Sequence, residues 1–485
     1  MSLKLLGKNT AIYAVGNVGA RAAAFLLIPL YAHALSLTDF GLLATLQVTI
    51  QIMAILASGG MRNTLLRFAK EYEAENKLGV LLGTSMLVNI LGGLVLGAVS
   101  FLFLAPLFSQ ILHVANVYPY IGMTCCAALA QALSAHMTSY YRAQHQAVRF
   151  MISGILTAIL IFAATFLLIS VYKFGVIGAL VAFTIAHMVV VLLVSVDIFR
   201  KIGFGLSWSS MSSLLRFGFP LVFSMSSELI IGAVGIYFLS YFAGLEAVAI
   251  YCLGYKLAQI LIITTLSPFA NAFQPYVFSD LDRLDQKEKI ARSLTYLILA
   301  VVLMSLCLVA ATKIMLPYIA PPEYASAFIV VLMLIPGMTF VGIYYFGETL
   351  MTAAKRTQAI GFSATLIAVA SILVNYILIR NFNWYGAVIS LDVSFIMLGF
   401  VLTASGMRRF PIPLEWKRIG ALSGLLVLFL IAMYALRNLP VVPFAITSVL
   451  FGILAILLLL NYDFFHEDEK LAVVRIRSNF ARKYW

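Results

Sequence analysis

The sequence predicts an all-α polytopic membrane protein with about fourteen transmembrane helices, and three observations carry that prediction. The first is composition: 63% of the 485 residues are hydrophobic, 11% are charged, and the mean hydropathy is +1.02. A soluble domain needs far more charge to cover its surface. The second is the recurrence of apolar windows of ~20 residues, the length a helix needs to cross hydrocarbon. The third is a one-sided distribution of Lys and Arg in the connections between those windows.

In chain order the windows fall near 9–32, 41–62, 79–104, 118–141, 150–171, 177–198, 217–242, 250–275, 293–316, 325–350, 358–379, 386–407, 419–436 and 441–462. The connections are short, and none is long enough for an extramembrane domain. The first window has a basic start (Lys4, Lys8), and Ala32-His33-Ala34 imitates a small-x-small cleavage site. Its apolar run, Thr10 to Tyr31, is longer than a signal peptide's and carries Arg21 near its midpoint. It is therefore expected to be a retained helix.

Orientation follows from the bases. With the N-terminus inside, cytoplasmic segments collect most of the 32 Lys and Arg, and the opposite side keeps only Lys173, Lys313, Arg380 and Arg437. Arg21 and Lys256 are left within spans. Both termini are expected in the cytoplasm, and the positive-inside bias explains the net charge of +13 without a nucleic-acid partner. Cys125, Cys126, Cys252 and Cys307 lie inside apolar runs and imply no disulfide framework.

The chain repeats itself. A shift of 207 residues lays Arg21 on Glu228 and Asp39 on Glu246, and a shift of 208 lays Gly178-Ala179 on Gly386-Ala387 after matching outer turns. Six spans thus correspond to the next six, and because six is even, both halves run the same way as parallel repeats. The expected organisation is an N-lobe of spans 1–6 (1–198), a cytoplasmic inter-lobe linker (199–216), a C-lobe of spans 7–12 (217–407), two further spans (408–462) and a basic cytoplasmic tail (463–485). The linker, rich in Gly and Ser around Arg200-Lys201, suits either a short interfacial amphipathic helix or a solvated tether.

No catalytic constellation is present. The six histidines are scattered, with no i, i+4 pair and no Cys or carboxylate at ligand spacing. There is no Walker loop, so any transport is not powered by this chain hydrolysing ATP, and no dinucleotide fingerprint. What the sequence does offer is polar residues inside spans. Asn17 and Arg21 lie one turn apart in the first span, and Ser224 and Glu228 one turn apart in the seventh. In the second, Gln47, Gln51, Ser58 and Arg62 fall within ~60° of one another on a continuous helix. Such stripes either hydrogen-bond helices together or line a wet cavity. Arg21 favours the cavity, because a mid-membrane Arg is an expensive means of holding helices together. Lys256 and Asp392 lie about six residues inside the outer ends of their spans, close enough to reach the interface. Arg62 and Glu348 sit at cytoplasmic ends and His187 is mid-span, where a neutral core histidine is the plainer reading. Pro29, Pro268 and Pro336 are expected to kink their helices.

The opening Asn9-x-x-x-Tyr13-x-x-Gly16, then Pro29-Leu30-Tyr31, then Leu35-x-x-x-Asp39-Phe40-Gly41, resembles the start of the polysaccharide-biosynthesis flippases. These are the Wzx type, within the multidrug/oligosaccharidyl-lipid/polysaccharide (MOP) exporter superfamily. Gly244-Leu-Glu-Ala-Val-Ala-Ile-Tyr251 and Trp384-Tyr-Gly386-Ala-Val add to the likeness, and the twelve-plus-two layout extends it over the whole chain. The resemblance implies a MATE/MOP-like fold, two six-helix lobes around a cavity open alternately to each face. It implies an undecaprenyl-diphosphate-linked oligosaccharide as cargo, for O-antigen or other lipopolysaccharide, capsule or exopolysaccharide assembly at the bacterial inner membrane. It implies no cofactor, with H+ or Na+ as candidate coupling ions, and no catalysis. The polysaccharide polymerase and the glycosyltransferases of the same pathway become candidate partners. The superfamily's cavity-lining bases on spans 1, 2 and 8 carry over to Arg21, Arg62 and Lys256, joined by Asn17, Gln47, Gln51 and Glu228. Glu228 departs from a purely cationic cavity and leaves open whether Arg21 pairs with it or holds a diphosphate. The alternative in the same superfamily is a multidrug or organic-cation antiporter, which would place acids where Arg21 stands. A membrane glycosyl polymerase or ligase would be expected to carry a sizeable outer loop, and none is evident.

Overall fold

The computed structural model describes residues 25–279, 284–461 and 464, without the side chains of 223–228, 279, 284, 285, 456, 460 and 461. Every regular element among the described residues is a helix. In order they are α1 (Phe25–Ala34), α2 (Leu37–Ala57), α3 (Met61–Ala74), α4 (Leu78–Val99), α5 (Ala105–Leu112), α6 (Tyr118–Ala143), α7 (Ala147–Thr165) and α8 (Gly175–Ile202). The second half continues with α9 (Trp208–Ala243), α10 (Leu245–Ala258), α11 (Ser267–Ser279), α12 (Leu284–Ile319), α13 (Ala327–Ala353), α14 (Thr357–Arg409), α15 (Trp416–Ala435) and α16 (Val441–Asn461).

Ten helices among the described residues are long and apolar enough to cross a membrane. The difference from fourteen windows has identifiable causes. α14 runs through two of them, with the only non-helical backbone at Asn383 (φ 55°, ψ −137°). The described part of the first window, Phe25–Ala34, is shorter than a span, and so is Leu229–Ala243, the stretch of α9 that follows residues 223–228. The 26 residues of α6 are more polar, holding Thr124, Ser134, His136 and Ser139 on buried positions. Two of those groups are tied down: Ser85 Oγ meets His136 Nε2 at 2.9 Å, and Ser139 donates to the Ala135 carbonyl.

The chain divides into two compact units, Met1–Lys256 with Pro317–Val330 and Arg356–Leu398, and Leu257–Leu316 with Val331–Lys355 and Gly399–Trp485. In the first, α6 packs against α2, α4 and α8. Its Ala127, Ala128, Ala130 and Ala132 are all buried. Small residues let backbones approach, which matters in lipid because tails are as apolar as Leu and packing must replace the hydrophobic drive. Met61, Leu65, Leu81, Leu82, Met137 and Val190 fill one side of this bundle at full burial. Gly178 and Gly386, which a shift of 208 residues lays on each other, both sit close to backbone: a Cβ would stand 3.3 Å from the Leu168 carbonyl oxygen at the first and 2.1 Å from that of Leu378 at the second. Each lets the turn before it fold back on the preceding helix. In the second unit, a buried Arg418–Glu415 pair (2.9 Å) at the start of α15 is fastened to α12 by Thr295, whose hydroxyl donates to Glu415 at 2.7 Å.

One expectation needs correction. The span read over 41–62 is not one helix. α2 ends at Ala57 and α3 begins at Met61, because Gly59 (φ 51°) and Gly60 (φ 75°) take the left-handed conformation. That conformation costs a side-chain-bearing residue energy and costs glycine none. The position also demands glycine for space: a Cβ on Gly60 would lie 2.0 Å from the Gly218 carbonyl oxygen of α9. The polar stripe therefore holds for Gln47 and Gln51 and breaks before Arg62, which belongs to α3. Near Pro268 the chain inserts a π turn, Ile262–Leu266, before α11, which gives the proline ring room at the second helical position. Pro336 lies inside a helix that continues on both sides.

Candidate functional site

α2 sets up the site. Ser36 caps its start: the Asp39 backbone N–H donates to Ser36 Oγ at 3.0 Å, and the Ser36 hydroxyl donates to Asp39 Oδ2 at 2.8 Å. The cap satisfies an orphan N–H of the first turn and places the carboxylate where the helix dipole favours it. The next two residues then make tertiary contacts. Phe40, fully buried, meets Tyr324 edge-on at 5.5 Å. Gly41 receives the backbone of Leu245 so closely that a Cβ would lie 1.9 Å from the Leu245 carbonyl oxygen. Asp39-Phe40-Gly41 is thus a cap, a packing wall and a backbone contact in three successive residues, and its partner is the Gly244-Leu245-Glu246 turn.

That contact brings the start of α10 beside α2 and carries Lys256 inward. Lys256 Nζ donates to Gln47 Oε1 at 3.2 Å and lies 5.6 Å from the centroid of the Phe40 ring. The side chain is half-buried. Its neighbours are a neutral amide and an aromatic face, and among the described residues it makes no ion pair. One turn along α2, Gln51 is exposed in the middle of an apolar helix. A polar side chain there is costly against lipid and suits a wet cavity. Thr49 completes the site: its hydroxyl meets the Tyr237 hydroxyl of α9 at 2.8 Å and also reaches the Thr45 carbonyl.

Of the residues singled out in the sequence, Gln47 and Lys256 come into direct contact and Gln51 lies next to them. Arg62 is elsewhere, half-buried on α3 and close enough to Arg142 to feel its charge. Asn17, Arg21 and the side chain of Glu228 lie outside the described residues. Lys256 is turned to Gln47 of α2. His187 turns its Nδ1 to the Phe183 carbonyl at 2.9 Å and packs on the Phe183 ring, a core histidine. Phe40, Thr49, Tyr237 and Tyr324 were not anticipated. Gly41, Thr45 and Thr49 at four-residue spacing were the available signal, a small-residue face on which another helix can settle. No group of three or more His, Cys, Asp or Glu among the described residues could hold a metal ion.

Comparison with known proteins sets this geometry in context. An uncharacterized membrane protein of Methanocaldococcus jannaschii is 23% identical over 409 residues, which cover 76% of this chain and 78% of that one. Among solved structures, the lipid II flippase MurJ in an inward closed conformation superposes with a TM-score of 0.76 at 14% identity, covering 92% of this chain and 97% of that one. An inward-facing MATE-family multidrug resistance transporter of the MOP superfamily gives 0.58 at 16% identity, covering 87% and 96%. The fold is that of MOP-superfamily flippases and transporters. The model of the polysaccharide biosynthesis protein family matches residues 6–281, more than half of the sequence, and the chain belongs to that family.

Proposed function

We propose that this protein is a flippase that moves an undecaprenyl-diphosphate-linked oligosaccharide repeat unit across the bacterial inner membrane by alternating access, for assembly of a surface polysaccharide. The observation that carries the reading is Lys256: a base held inside a membrane bundle on a neutral amide and an aromatic ring, with no carboxylate paired to it among the described residues. A cation in that position is expensive unless something anionic visits it. A diphosphate is such a visitor and takes charge-assisted hydrogen bonds from Lys and Arg. The family and the flippase fold support a lipid-linked cargo.

In this reading Arg21 and Asn17 supply a second basic position, Gln47 and Gln51 take sugar hydroxyls, and Glu228 competes with the diphosphate for Arg21. Arg62, beside Arg142, meets the anion at the inner end of its path. The lipid tail stays in the bilayer while the lobes, 1–198 and 217–407, rock about the site. Both termini face the cytoplasm, a proton or sodium gradient supplies any coupling, and the pathway's polymerase and glycosyltransferases are partners. A cation antiporter would be expected to carry an acid where Lys256 stands. Purified protein in liposomes should deliver a fluorescent lipid-diphosphate oligosaccharide to the outer leaflet. Failure to do so, with export of cationic dyes instead, would put the antiporter in its place.

A further inference from the structure

The join between the halves is neither an interfacial helix nor a free tether. α8 runs to Ile202 and α9 starts at Trp208, so residues 203–207 are the only non-helical piece. These residues lie along α4 backbone to backbone. A Cβ on Gly79 would stand 2.5 Å from the Gly203 carbonyl oxygen, and one on Gly83 would stand 2.2 Å from that of Gly205. The Gly205 N–H donates to the Gly79 carbonyl at 3.3 Å, and the Ser207 N–H donates to Thr84 Oγ1 at 3.0 Å. Gly79-x-x-x-Gly83 is therefore a groove, and the strap 203–207 lies in it.

An extended strap turns alternate side chains to opposite faces. With the backbone of 203–205 and Ser207 against α4, the outer surface carries Leu206, Trp208 and Phe204, whose ring edge also overlies Gly83; Phe204, Leu206 and Trp208 are 62%, 50% and 68% exposed. They continue an apolar ridge. Met188, Leu192 and Val196 are exposed at four-residue spacing along α8, a helix long and apolar enough to span a membrane, and that spacing ends on the exposed Arg200. Phe204 follows, packed edge-on against Phe199 at 5.2 Å.

We propose that this strap is a membrane-interface anchor: Phe204, Leu206 and Trp208 seat at the boundary between acyl chains and headgroups, with Arg200 and Arg216 on the phosphates. The occupant is the bilayer, because the ridge leading to the strap is the lipid face of a spanning helix. An aromatic, an aliphatic and a Trp beside exposed bases are also the residue types that partition to that boundary. The glycine groove fixes the depth of the anchor, so α9 enters the second half from a fixed point. The inference rests on the protein being membrane-embedded and is independent of what it carries.

The test uses full-length protein whose other three tryptophans, Trp384, Trp416 and Trp485, are replaced by Phe. It is reconstituted in phosphatidylethanolamine–phosphatidylglycerol vesicles. Trp208 should lose most of its emission to lipid brominated near the glycerol, little to lipid brominated at the chain end, and little to aqueous iodide. Free quenching by iodide would overturn the anchor, as would shielding from both quenchers, which would mean that protein covers the strap. Gly83→Ala should lift the strap and shift Trp208 toward iodide. Should that variant not insert, Gly79→Ala, with its wider clearance, gives the same reading. Unchanged lipid quenching in an inserted groove variant would refute the locking role of the glycines.

Discussion

Lys256→Gln separates a cargo-binding base from a structural one, and the structure sets the size of both effects. The Nζ–Gln47 contact, at 3.2 Å, is at the long end for a nitrogen donor, and the ring contact at 5.6 Å is near the limit of cation–π attraction. Together they stabilise the fold by about 1 kcal/mol, and a glutamine amide retains part of the hydrogen bond. The variant should therefore insert, purify at wild-type yield and melt within a few degrees of the parent. A hydrogen bond from a charged donor to a phosphate oxygen is worth about 1.5–3 kcal/mol, which corresponds to roughly ten- to hundredfold in transport rate. Lys256→Arg should recover part of it, since the charge is kept while the reach changes. The assay is leaflet exchange of a fluorescent lipid-diphosphate oligosaccharide in proteoliposomes, with thermal unfolding in detergent measured on the same preparations. Stability and transport falling in parallel would make Lys256 a structural residue, and unchanged transport would remove it from the cargo path.

Gly60→Ala should destabilise by about 2 kcal/mol or more, because it adds left-handed strain to a clash with the Gly218 carbonyl, whereas Gly122→Ala, with open space around it and ordinary helical backbone, should be neutral or slightly stabilising. Thermal melts of the two variants check this, and equal melts would refute the close approach. A double-mutant cycle with Thr49→Val and Tyr237→Phe should give a coupling of about 1 kcal/mol for their hydroxyl contact, and a coupling near zero would mean the two helices are not joined there. Arg21→Glu combined with Glu228→Arg should restore protein abundance but not full surface polysaccharide, and full activity would show that only pairing between the two matters. Reporter fusions after Arg142 should report cytoplasm and after Glu246 the outer side, and a reversal of the two would invert the proposed topology.

The helices were legible because length and apolarity decide a membrane span almost alone, and every window falls on helical chain over most of its described residues, the break within 41–62 being the clearest exception. The joins were less legible. Counting hydropathy over 41–62 passes straight through Gly59-Gly60, since glycine is neutral on such scales; only backbone conformation shows that it breaks the helix there. The same applies to Gly203-Phe204-Gly205, whose glycines look like flexibility in sequence and are a close-contact surface in the fold. At the site, Gln47 and Lys256 could be chosen one by one as polar groups in apolar helices. Their contact depends on Gly41 admitting Leu245, a tertiary event whose partner the small-residue spacing of Gly41, Thr45 and Thr49 does not name. Tyr237 was hidden for the opposite reason: in a chain with 13% aromatic residues, nothing distinguishes it from the rest, and Phe40 was marked only as part of the Asp39-Phe40-Gly41 motif, without its packing role.

α2 is gripped at three levels, and the chemistry of the three grips differs. At its start Gly41 touches the Leu245 backbone; midway Thr49 bonds Tyr237 while Gln47 takes Lys256; beyond its end Gly60 touches Gly218. The end contacts are close packing, backbone on backbone at both ends with the Met61 and Thr64 side chains also against Gly218 at the far one. Among the described residues no hydrogen bond joins Gly41 to Leu245 or Gly60 to Gly218, so dispersion is the main attraction to be given up. The middle contacts are hydrogen bonds, whose loss inside a bilayer leaves polar groups to be satisfied by something else. Under alternating access one end must part while the middle stays engaged, and glycine contacts at the ends with polar contacts in the middle fit that requirement. In the proposed function, cargo would replace Gln47 as the partner of Lys256 without leaving the amide stranded, because one turn away the exposed Gln51 marks a polar, accessible surface.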